Sequence, residues 1–395
     1  MARTLVFILF FVIALGIVAL AHYYIWARVI RDAQLPRTWF RGLTVLVALL
    51  GLSIPATFWA SRAIPPGTAR GVLLVTYSWL GLLLLFVALL AAAELIRVGA
   101  AVVERLRDAP PDPQRRLVLA RVMGGAVTLG VGGLGVFSLA NGLGRIAVKR
   151  VEVTLARLPE TMDGFSIVQL TDMHVGPTLH ARFVEDVVRQ VNELQPDLVA
   201  ITGDLVDGSV EHLGPIVGLL RGIRSQHGTY FVTGNHEYYS GANEWTAFLK
   251  GLGIRVLENE RVTIESRGGA FELAGVNDHS AARVDPHAAP NYEKAMGGRR
   301  DSGQLLVLLA HQPKAVFDAQ PYGADLLLAG HTHGGQIWPW KYLVPLQQPV
   351  VAGLERFGET LVYVSSGTGY WGPPMRLGTT AEITHVILRA RRAQA

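Results

Sequence analysis

Side chains that bind metal ions and transfer protons follow five short apolar runs between residues 165 and 335. The five places are Thr171-Asp172-Met173-His174, Thr202-Gly203-Asp204, Thr233-Gly234-Asn235-His236-Glu237, Ala310-His311 and Gly330-His331-Thr332-His333. A single Asp at a strand end or a single His is commonplace, so each place alone is weak evidence. Together they indicate a metal centre, because so many imidazoles and carboxylates crowded without a counter-charge would be costly.

The chemistry of this set points to two transition-metal ions. Imidazole, carboxylate and amide oxygen suit Mn, Fe or Zn better than the all-oxygen shells of Mg or Ca. The candidate ligands, too many for one tetrahedral ion, are Asp172, His174, Asp204, Asn235, His311, His331 and His333. Two ions need a bridging anion, and we expect Asp204 to supply it. Paired ions ~3.5–4 Å apart lower the pKa of a bound water and clamp phosphoryl oxygens, which predicts hydrolysis at phosphorus.

An alternating α/β arrangement must gather these side chains. Strands are predicted at 151–155, 165–170, 198–202 and 230–233, with helices at 183–194 and 213–223. The carboxyl ends of parallel strands meet at one sheet edge, where ligands bind. Further strands at 262–265, 271–276, 305–310, 326–329, 361–365 and 382–388 predict a second sheet packed on the first. We expect Asn277–Gly303 to form a long surface loop.

The first 150 residues have a different composition. Intervals without Asp, Glu, Lys or Arg lie between Arg3 and Arg28, Arg41 and Arg62, Arg70 and Glu94, and Arg121 and Arg145. Each is close to the ~20 residues that span a bilayer. We predict transmembrane helices near 5–26, 42–60, 71–96 and 122–144, in a membrane domain of residues 1–150 that precedes a catalytic domain of residues 151–395. Buried helices of a large soluble core are the alternative.

The balance of basic and acidic residues differs between the first 150 residues and the rest of the chain. Residues 1–150 carry 16 Lys and Arg against 5 Asp and Glu, whereas the rest carries 20 against 26. The catalytic half is therefore mildly acidic, which gives no support to a nucleic-acid partner. Arginines concentrate after the first and third predicted spans, so these loops should be cytoplasmic. This predicts a multi-pass protein of the bacterial inner membrane with an extracytoplasmic catalytic domain.

The series D-x-H, G-D, G-N-H-E, H and G-H-x-H resembles the calcineurin-like metallophosphoesterase superfamily over about residues 160–390. The resemblance implies a four-layer α/β/β/α sandwich with a two-metal site. By position it implies that one ion is held by Asp172, His174, Asp204 and His333, and the other by Asp204, Asn235, His311 and His331. His236 would protonate the leaving oxygen or stabilise the transition state.

Departures from the patterns of two well-known branches narrow the resemblance to one part of the superfamily. Purple acid phosphatases carry Tyr where this chain has His174, and Ser/Thr protein phosphatases have Asp-Arg-Gly after the bridging aspartate, which Asp204 lacks. The runs at 234–241, 331–337 and 366–376 look like the membrane-anchored bacterial phosphodiesterase branch. Relatives in that branch are linked to phospholipid-type or nucleotide-sugar lipid substrates.

The leading hypothesis is a membrane-anchored phosphodiesterase that cleaves a phosphodiester or pyrophosphate of a lipid-linked or amphiphilic substrate, with Asp204 and His236 central to catalysis. One alternative is a UDP-2,3-diacylglucosamine pyrophosphatase-like step of lipid A synthesis, and another is a non-catalytic metal-binding sensor or scaffold. Arg376 is predicted to bind a phosphate oxygen, and Tyr238 to contact the substrate. No protein partner is implied.

Overall fold

The computed structural model describes residues 2–63, 66–106, 112–298 and 303–391. The chain divides into two compact units, Met1–Leu143 with Gly372–Met375, and Gly144–Trp371 with Arg376–Ala395. The border predicted at residue 150 lies inside the first strand of the second unit, which begins a few residues earlier.

Long apolar helices form the first unit. They are α1 Ala2–Ile25, α2 Arg37–Ala63, α3 Pro66–Leu106 and α4 Pro113–Gly142. All four are long and apolar enough to cross a membrane, by length and composition. Large apolar side chains point outward along them, as with Leu49 at 61% and Leu129 at 80% exposure, and lipid is the natural environment for such faces. The prediction of four helices able to span a membrane is confirmed, and α3 continues beyond its predicted end at residue 96.

The second unit contains two six-stranded sheets. The strands are β1 Ala147–Leu155, β2 Ser166–Leu170, β3 Leu198–Thr202, β4 Thr229–Val232, β5 Arg255–Val256, β6 Glu260–Ser266, β7 Gly269–Gly275, β8 Leu306–Leu309, β9 Leu326–Ala329, β10 Gly353–Phe357, β11 Thr360–Val364 and β12 Glu382–Ala390. One sheet has the order β1-β12-β2-β3-β4-β5, and the other β10-β11-β9-β8-β7-β6. The run β2-β3-β4-β5 is parallel, as is β11-β9-β8-β7, so in each sheet several strands end at the same edge.

Helices cover the outer faces of both sheets. They are α5 Ala181–Glu193, α6 Val210–Val217, α7 Asn235–Ser240, α8 Ala242–Gly251, α9 Ala281–Val284, α10 Tyr292–Met296 and α11 Ala315–Ala319. Val187 and Trp245 pack from helices onto the first sheet, and Val316 packs onto the second. Between the sheets, Ile167 and Phe271 belong to one shared apolar core. The predicted four-layer α/β/β/α sandwich is confirmed.

Two local predictions need correction. The short strands β5 and β10 were not predicted, because a two-residue strand and a mostly exposed strand carry no apolar alternation. The surface-loop prediction for Asn277–Gly303 is confirmed in part: residues 282–287 are exposed, but the short helices α9 and α10 form in the segment and Asn277 and Asp278 are buried. Apolar residues at the end of α10 join the core, and helices this short show no clear periodicity in the sequence. Residues 299–302 of this segment lie outside the described residues.

Candidate metal centre

The predicted ligands lie in turns that directly follow β2, β3, β4, β8 and β9. The backbone is left-handed at Asp172 (φ 52°), His174 (φ 45°), Asp204 (φ 49°), His331 (φ 72°) and His333 (φ 51°). Side chains other than glycine rarely adopt this conformation, which costs of order 1 kcal/mol or more and clusters at functional sites. The chain therefore turns sharply after β2, β3 and β9, and the polar side chains of these turns approach one another.

One group of side chains joins the turns after β2 and β9. His174 Nε2 lies 3.1 Å from His333 Nε2, and His333 Nε2 lies 3.4 Å from Asp172 Oδ1. The Asp172 carboxylate also accepts the backbone N–H of His331 at 3.0 Å, which ties the two turns together. All three side chains are buried. One imidazole nitrogen or carboxylate oxygen from each lies close enough to the others to bind a single ion.

A second group joins the turns after β3, β8 and β9. His311 Nε2 lies 3.1 Å from Asp204 Oδ2 and 3.1 Å from His331 Nδ1. Asp204 also approaches the first group, with Oδ2 lying 3.9 Å from His174 Nε2. Its carboxylate is therefore the one that reaches both groups, as expected of a bridging ligand.

Hydrogen bonding within the second group shows that a cation fits it. His311 Nδ1 lies 2.9 Å from the carbonyl oxygen of Thr202 and donates its proton there, so Nε2 is the nitrogen that faces Asp204 Oδ2. Burial opposes a charged imidazole, but the Asp204 carboxylate raises the pKa of His311 well above its usual range, so a positive charge, a proton or a metal ion, is favoured between these two atoms. Asn235 Oδ1 is also buried without a hydrogen-bond partner among the described residues. Such an atom indicates a missing polar ligand.

Asp207 was not predicted as a site residue, although it connects two imidazoles. Its Oδ1 lies 2.5 Å from His236 Nδ1 and 3.1 Å from His174 Nδ1. Burial alone would raise the pKa of Asp207, but the charges and hydrogen bonds of both histidines hold it well below its usual range. The same carboxylate outweighs the burial of His174 and raises the pKa of that imidazole to about 9. Asp207 thus fixes both rings so that their Nε2 atoms face the centre.

Glu237 is another residue without a role predicted from the sequence, and its carboxylate hydrogen-bonds the backbone of two ligand turns. Its carboxylate accepts the backbone N–H groups of Gly234 (2.6 Å), Asp204 (3.0 Å) and Leu205 (2.8 Å). Burial and the charge of Asp204 raise the pKa of Glu237 to about 7, against the lowering effect of these bonds. In the sequence, the only sign that Glu237 belongs to the site was its place in the G-N-H-E run. That run does not indicate that Glu237 hydrogen-bonds the turn after β3.

His236 and two exposed aromatic rings lie beside the metal-binding groups. The His236 backbone N–H donates to Asp204 Oδ1 at 2.8 Å, and its Nε2 lies 4.0 Å from Asp204 Oδ2. Tyr239 and Trp371 contact the His236 ring edge to face, with centroids 5.3 and 5.6 Å away. These rings are 65% and 55% exposed. His236 is thus half enclosed by aromatic surface that solvent or a substrate can reach.

Tyr238 and Arg376, the two residues predicted to contact the substrate, are positioned less favourably for that role than Tyr239 and Trp371. Tyr238 is half-buried and its hydroxyl bonds Thr233 Oγ1 at 3.0 Å, whereas Tyr239 next to it faces His236. Arg376 is fully buried and donates to the carbonyls of Gly369 (2.5 Å), Gly367 (3.2 Å) and Thr380 (3.2 Å). This arrangement gives Arg376 a role in positioning the loop after β11 and does not support a direct phosphate contact. Substrate binding by either residue stays a prediction.

The close approach of the turns gives a first testable prediction. A Cβ atom at Gly330 would overlap Thr171 Oγ1 and Asp172 Oδ2, so Gly330→Ala must displace a candidate ligand. We expect a loss of roughly 1–3 kcal/mol, or about 3–10 °C in Tm, together with weaker Mn binding in a titration. Gly218→Ala is the matched control, because its Cβ would meet nothing within 4 Å. Equal Mn affinity in Gly330→Ala and wild type would contradict this account.

Comparisons with known proteins agree with this geometry. Residues 165–335 match the family profile of the calcineurin-like phosphoesterases. A bovine (Bos taurus) transmembrane protein with a metallophosphoesterase domain is 41% identical over 339 residues, covering 80% of this chain and 74% of that protein. A metallophosphoesterase of Helicobacter pylori strain J99 is 41% identical, covering 62% of this chain and 65% of its own length. The Bacillus subtilis metallophosphoesterase YkuE is 29% identical, covering 67% of this chain and 93% of that protein.

Similarity at this level, over most of both chains, is enough to assign the family. The strand-end carboxylates and imidazoles that led to the resemblance are the same side chains that the fold brings together. Four helices apolar and long enough to span a membrane precede them, and the bovine relative is itself a transmembrane protein. The chain therefore belongs to the calcineurin-like metallophosphoesterase family and is a membrane-associated, metal-dependent phosphoester hydrolase.

Proposed function

We propose that this protein hydrolyses a phosphodiester or pyrophosphate bond of a lipid-linked or amphiphilic substrate, using two divalent ions. The observation that carries the proposal is the position of Asp204, whose Oδ2 lies 3.1 Å from His311, 3.9 Å from His174 and 4.0 Å from His236. A carboxylate shared between two ligand groups and a proton donor is the arrangement that displacement at phosphorus requires.

Each ion would have its own ligands. Asp172, His174 and His333 would hold one, Asn235, His311 and His331 the other, and Asp204 would bind both. The imidazole-rich set favours Mn, Fe or Zn. When bound, two such ions supply an activated water and neutralise charge on the phosphoryl oxygens.

His236 would then act as the acid that protonates the leaving oxygen. Its Nδ1 is held by Asp207, which fixes the orientation of the ring and leaves Nε2 as the atom that transfers the proton. Its backbone N–H is fixed on Asp204 Oδ1, so the ring cannot drift away from the reacting centre. His236 and the bridging carboxylate are therefore positioned as one unit.

Two features support an amphiphilic substrate. Tyr239 and Trp371 expose aromatic faces on either side of His236, where an apolar leaving group or acyl chain would be bound. The same chain carries four helices that suit a bilayer, where such substrates are found. The arginine-rich loops after the first and third spans support an inner-membrane protein with the catalytic domain on the outer side.

A pair of substrates that differ only in the tail tests this proposal. The full chain, in neutral detergent with Mn, is offered methyl and dodecyl p-nitrophenyl phosphate. We expect kcat/KM for the dodecyl diester to be at least about tenfold higher, since each buried CH₂ contributes ~0.8 kcal/mol. The Tyr239→Ala/Trp371→Ala double variant should lose this preference. Trp340→Ala, which removes another exposed Trp, should retain it.

Other outcomes separate the alternatives. Faster cleavage of the monoester p-nitrophenyl phosphate than of either diester would overturn the phosphodiesterase assignment. Cleavage confined to a diacylated UDP-glucosamine, with a C-terminal reporter active only in the cytoplasm, would favour the lipid A pyrophosphatase alternative. Stoichiometric Mn binding without turnover of any ester would favour the sensor or scaffold.

A further inference from the structure

A cavity of about 640 Å³ lies within the first unit, at one end of its helices. Its charged lining consists of Arg28, Arg31, Arg97 and Arg116 against Asp32 and Glu104. Glu94 also pairs with Arg28 and Arg97. Four guanidinium groups against three carboxylates still leave a positive excess, and such a cavity attracts anions. The family's metal centre does not account for it, since no candidate metal ligand lines it.

A distorted turn of helix shapes one wall of the cavity. After α1, the chain forms a π-helical turn over Trp26–Arg31, closed by a hydrogen bond from Asp32 N to Ala27 O at 2.9 Å. The Asp32 carboxylate accepts Arg28 Nη1 at 2.9 Å and Arg31 Nε at 3.0 Å. Wider turns of this kind are frequent at functional sites. Here the turn holds two arginines side by side at the cavity.

Arg97 and Arg116 retain donors that no described carboxylate uses. The Glu94 carboxylate is shared, since its Oε1 lies 2.9 Å from Arg28 Nε and 3.1 Å from Arg97 Nη1. Arg97 Nη2 is buried with no hydrogen-bond partner in the described part of the chain. A buried donor without a partner costs about 1–3 kcal/mol, and an anion in the cavity would recover that energy if the Arg97 guanidinium, which lines the cavity, turned Nη2 toward it. Arg116 is exposed and forms no ion pair with any carboxylate of the described residues.

The remainder of the lining is apolar and small. Ala100, Ala101 and Ala120 lie beside Leu117 and Leu119. The volume is typical of small-molecule sites of ~300–1,000 Å³, and it exceeds what a bare phosphate ion needs. Arg28, Arg97 and Arg116 lie at or just beyond the charge-free stretches of the first, third and fourth helices, within the candidate spans Phe11–Arg31, Arg70–Leu106 and Pro113–Gly142. Basic pockets between transmembrane helices bind lipid headgroups.

We propose that this cavity binds the phosphate group of an anionic glycerophospholipid as a bound, non-reacting lipid. Arg97 and Arg116 donate to the phosphate oxygens, with Arg28 and Arg31 adding positive charge. The glycerol and the first acyl carbons lie against the alanine and leucine wall. A lipid headgroup and a soluble phosphate ion both offer anionic phosphate oxygens to the arginines. The soluble ion is therefore the competing ligand.

A thermal-shift titration of the full chain in neutral detergent tests the proposal. The probes are dioctanoyl phosphatidylglycerol, dioctanoyl phosphatidylcholine and inorganic phosphate, because a ligand of the folded state raises Tm. We expect phosphatidylglycerol alone to raise Tm at low concentration. In Arg97→Gln/Arg116→Gln its Kd should rise about tenfold or more, since hydrogen bonds to charged groups are lost. Arg41→Gln, an exposed arginine outside the cavity, should bind as wild type.

Three outcomes would overturn the proposal. An equal shift with phosphatidylcholine would show that charge is not recognised, and an equal shift with inorganic phosphate would show a free-anion site. Wild-type affinity in the arginine variants would place the lipid elsewhere. Should the double variant not fold, Arg116→Gln alone keeps the test valid, because this exposed side chain has no ion pair to lose among the described residues. Because binding is measured without turnover, the result does not depend on the proposed function.

Discussion

Asp204→Asn is expected to lower kcat for a nitrophenyl phosphodiester by about 10³-fold or more, since bound metal ions each supply several kcal/mol of transition-state stabilisation. The substitution keeps the size of the side chain and removes its charge. Asp204 is the carboxylate that approaches His174, His236 and His311 together, so both ligand groups lose a partner at once. The amide nitrogen would also present a donor where an acceptor is needed.

Metal content distinguishes this effect from a general loss of structure. Elemental analysis after dialysis against Mn should give two ions per wild-type chain and fewer than two per Asp204→Asn chain. Asp186→Asn is the matched control, since Asp186 is a half-exposed residue on α5 that contacts Arg189. Full metal content with full activity in Asp204→Asn would rule out a bridging carboxylate at this position.

His236→Gln is expected to lower kcat by roughly 10²–10⁴-fold while the metal content stays at the wild-type level. Its ring nitrogen Nδ1 is bonded to Asp207 and its Nε2 lies 4.0 Å from Asp204, so the ring lies beside the two proposed ligand groups and belongs to neither of them. Gln keeps a hydrogen-bonding end but cannot take up and release a proton near neutral pH. The loss should therefore appear in turnover and not in metal binding.

Substrates with different leaving groups distinguish two possible roles of His236. If it donates a proton, the loss should be large for an alkyl alcohol leaving group and much smaller for nitrophenolate, which needs no proton to depart. A loss of equal size for both would show that His236 stabilises charge in the transition state without proton transfer. His212→Gln serves as the control, because His212 is exposed and its ring bonds to nearby Ser209, away from the candidate ligands. Near wild-type turnover of the alkyl substrate in His236→Gln would contradict both roles.

The positions of Glu237 and Arg376 explain how a strained set of turns stays in place. Glu237 accepts three backbone N–H groups from two successive turns, and Arg376 donates to carbonyls of the loop after β11. Both side chains are buried and ionisable, so hydrogen bonds must offset the cost of burying them, although Arg376 Nε has no partner among the described residues. Their contacts offset part of the backbone strain at the left-handed residues.

Much of the fold was determined locally and could be predicted from the sequence. The strands 198–202 and 326–329 lie where predicted, because both are continuous apolar runs that end at glycine or polar turn residues. The four helices of the first unit follow from long intervals without charge. The set of strand-end Asp, Asn and His residues could also be named, since parallel strands bring their carboxyl ends together whatever the details of packing.

Tertiary structure decided which side chains share a partner. Asp207 was visible in the sequence as one more aspartate, and only the fold places it between His174 and His236. Arg376 has the residue type of a phosphate ligand, yet the packing of its loop buries it against carbonyls. The cavity among the arginines of the first unit likewise needs three helices to meet. Residue types and spacing determine the chemistry that is available, whereas orientation and burial depend on contacts between residues far apart in the chain, which no local pattern records.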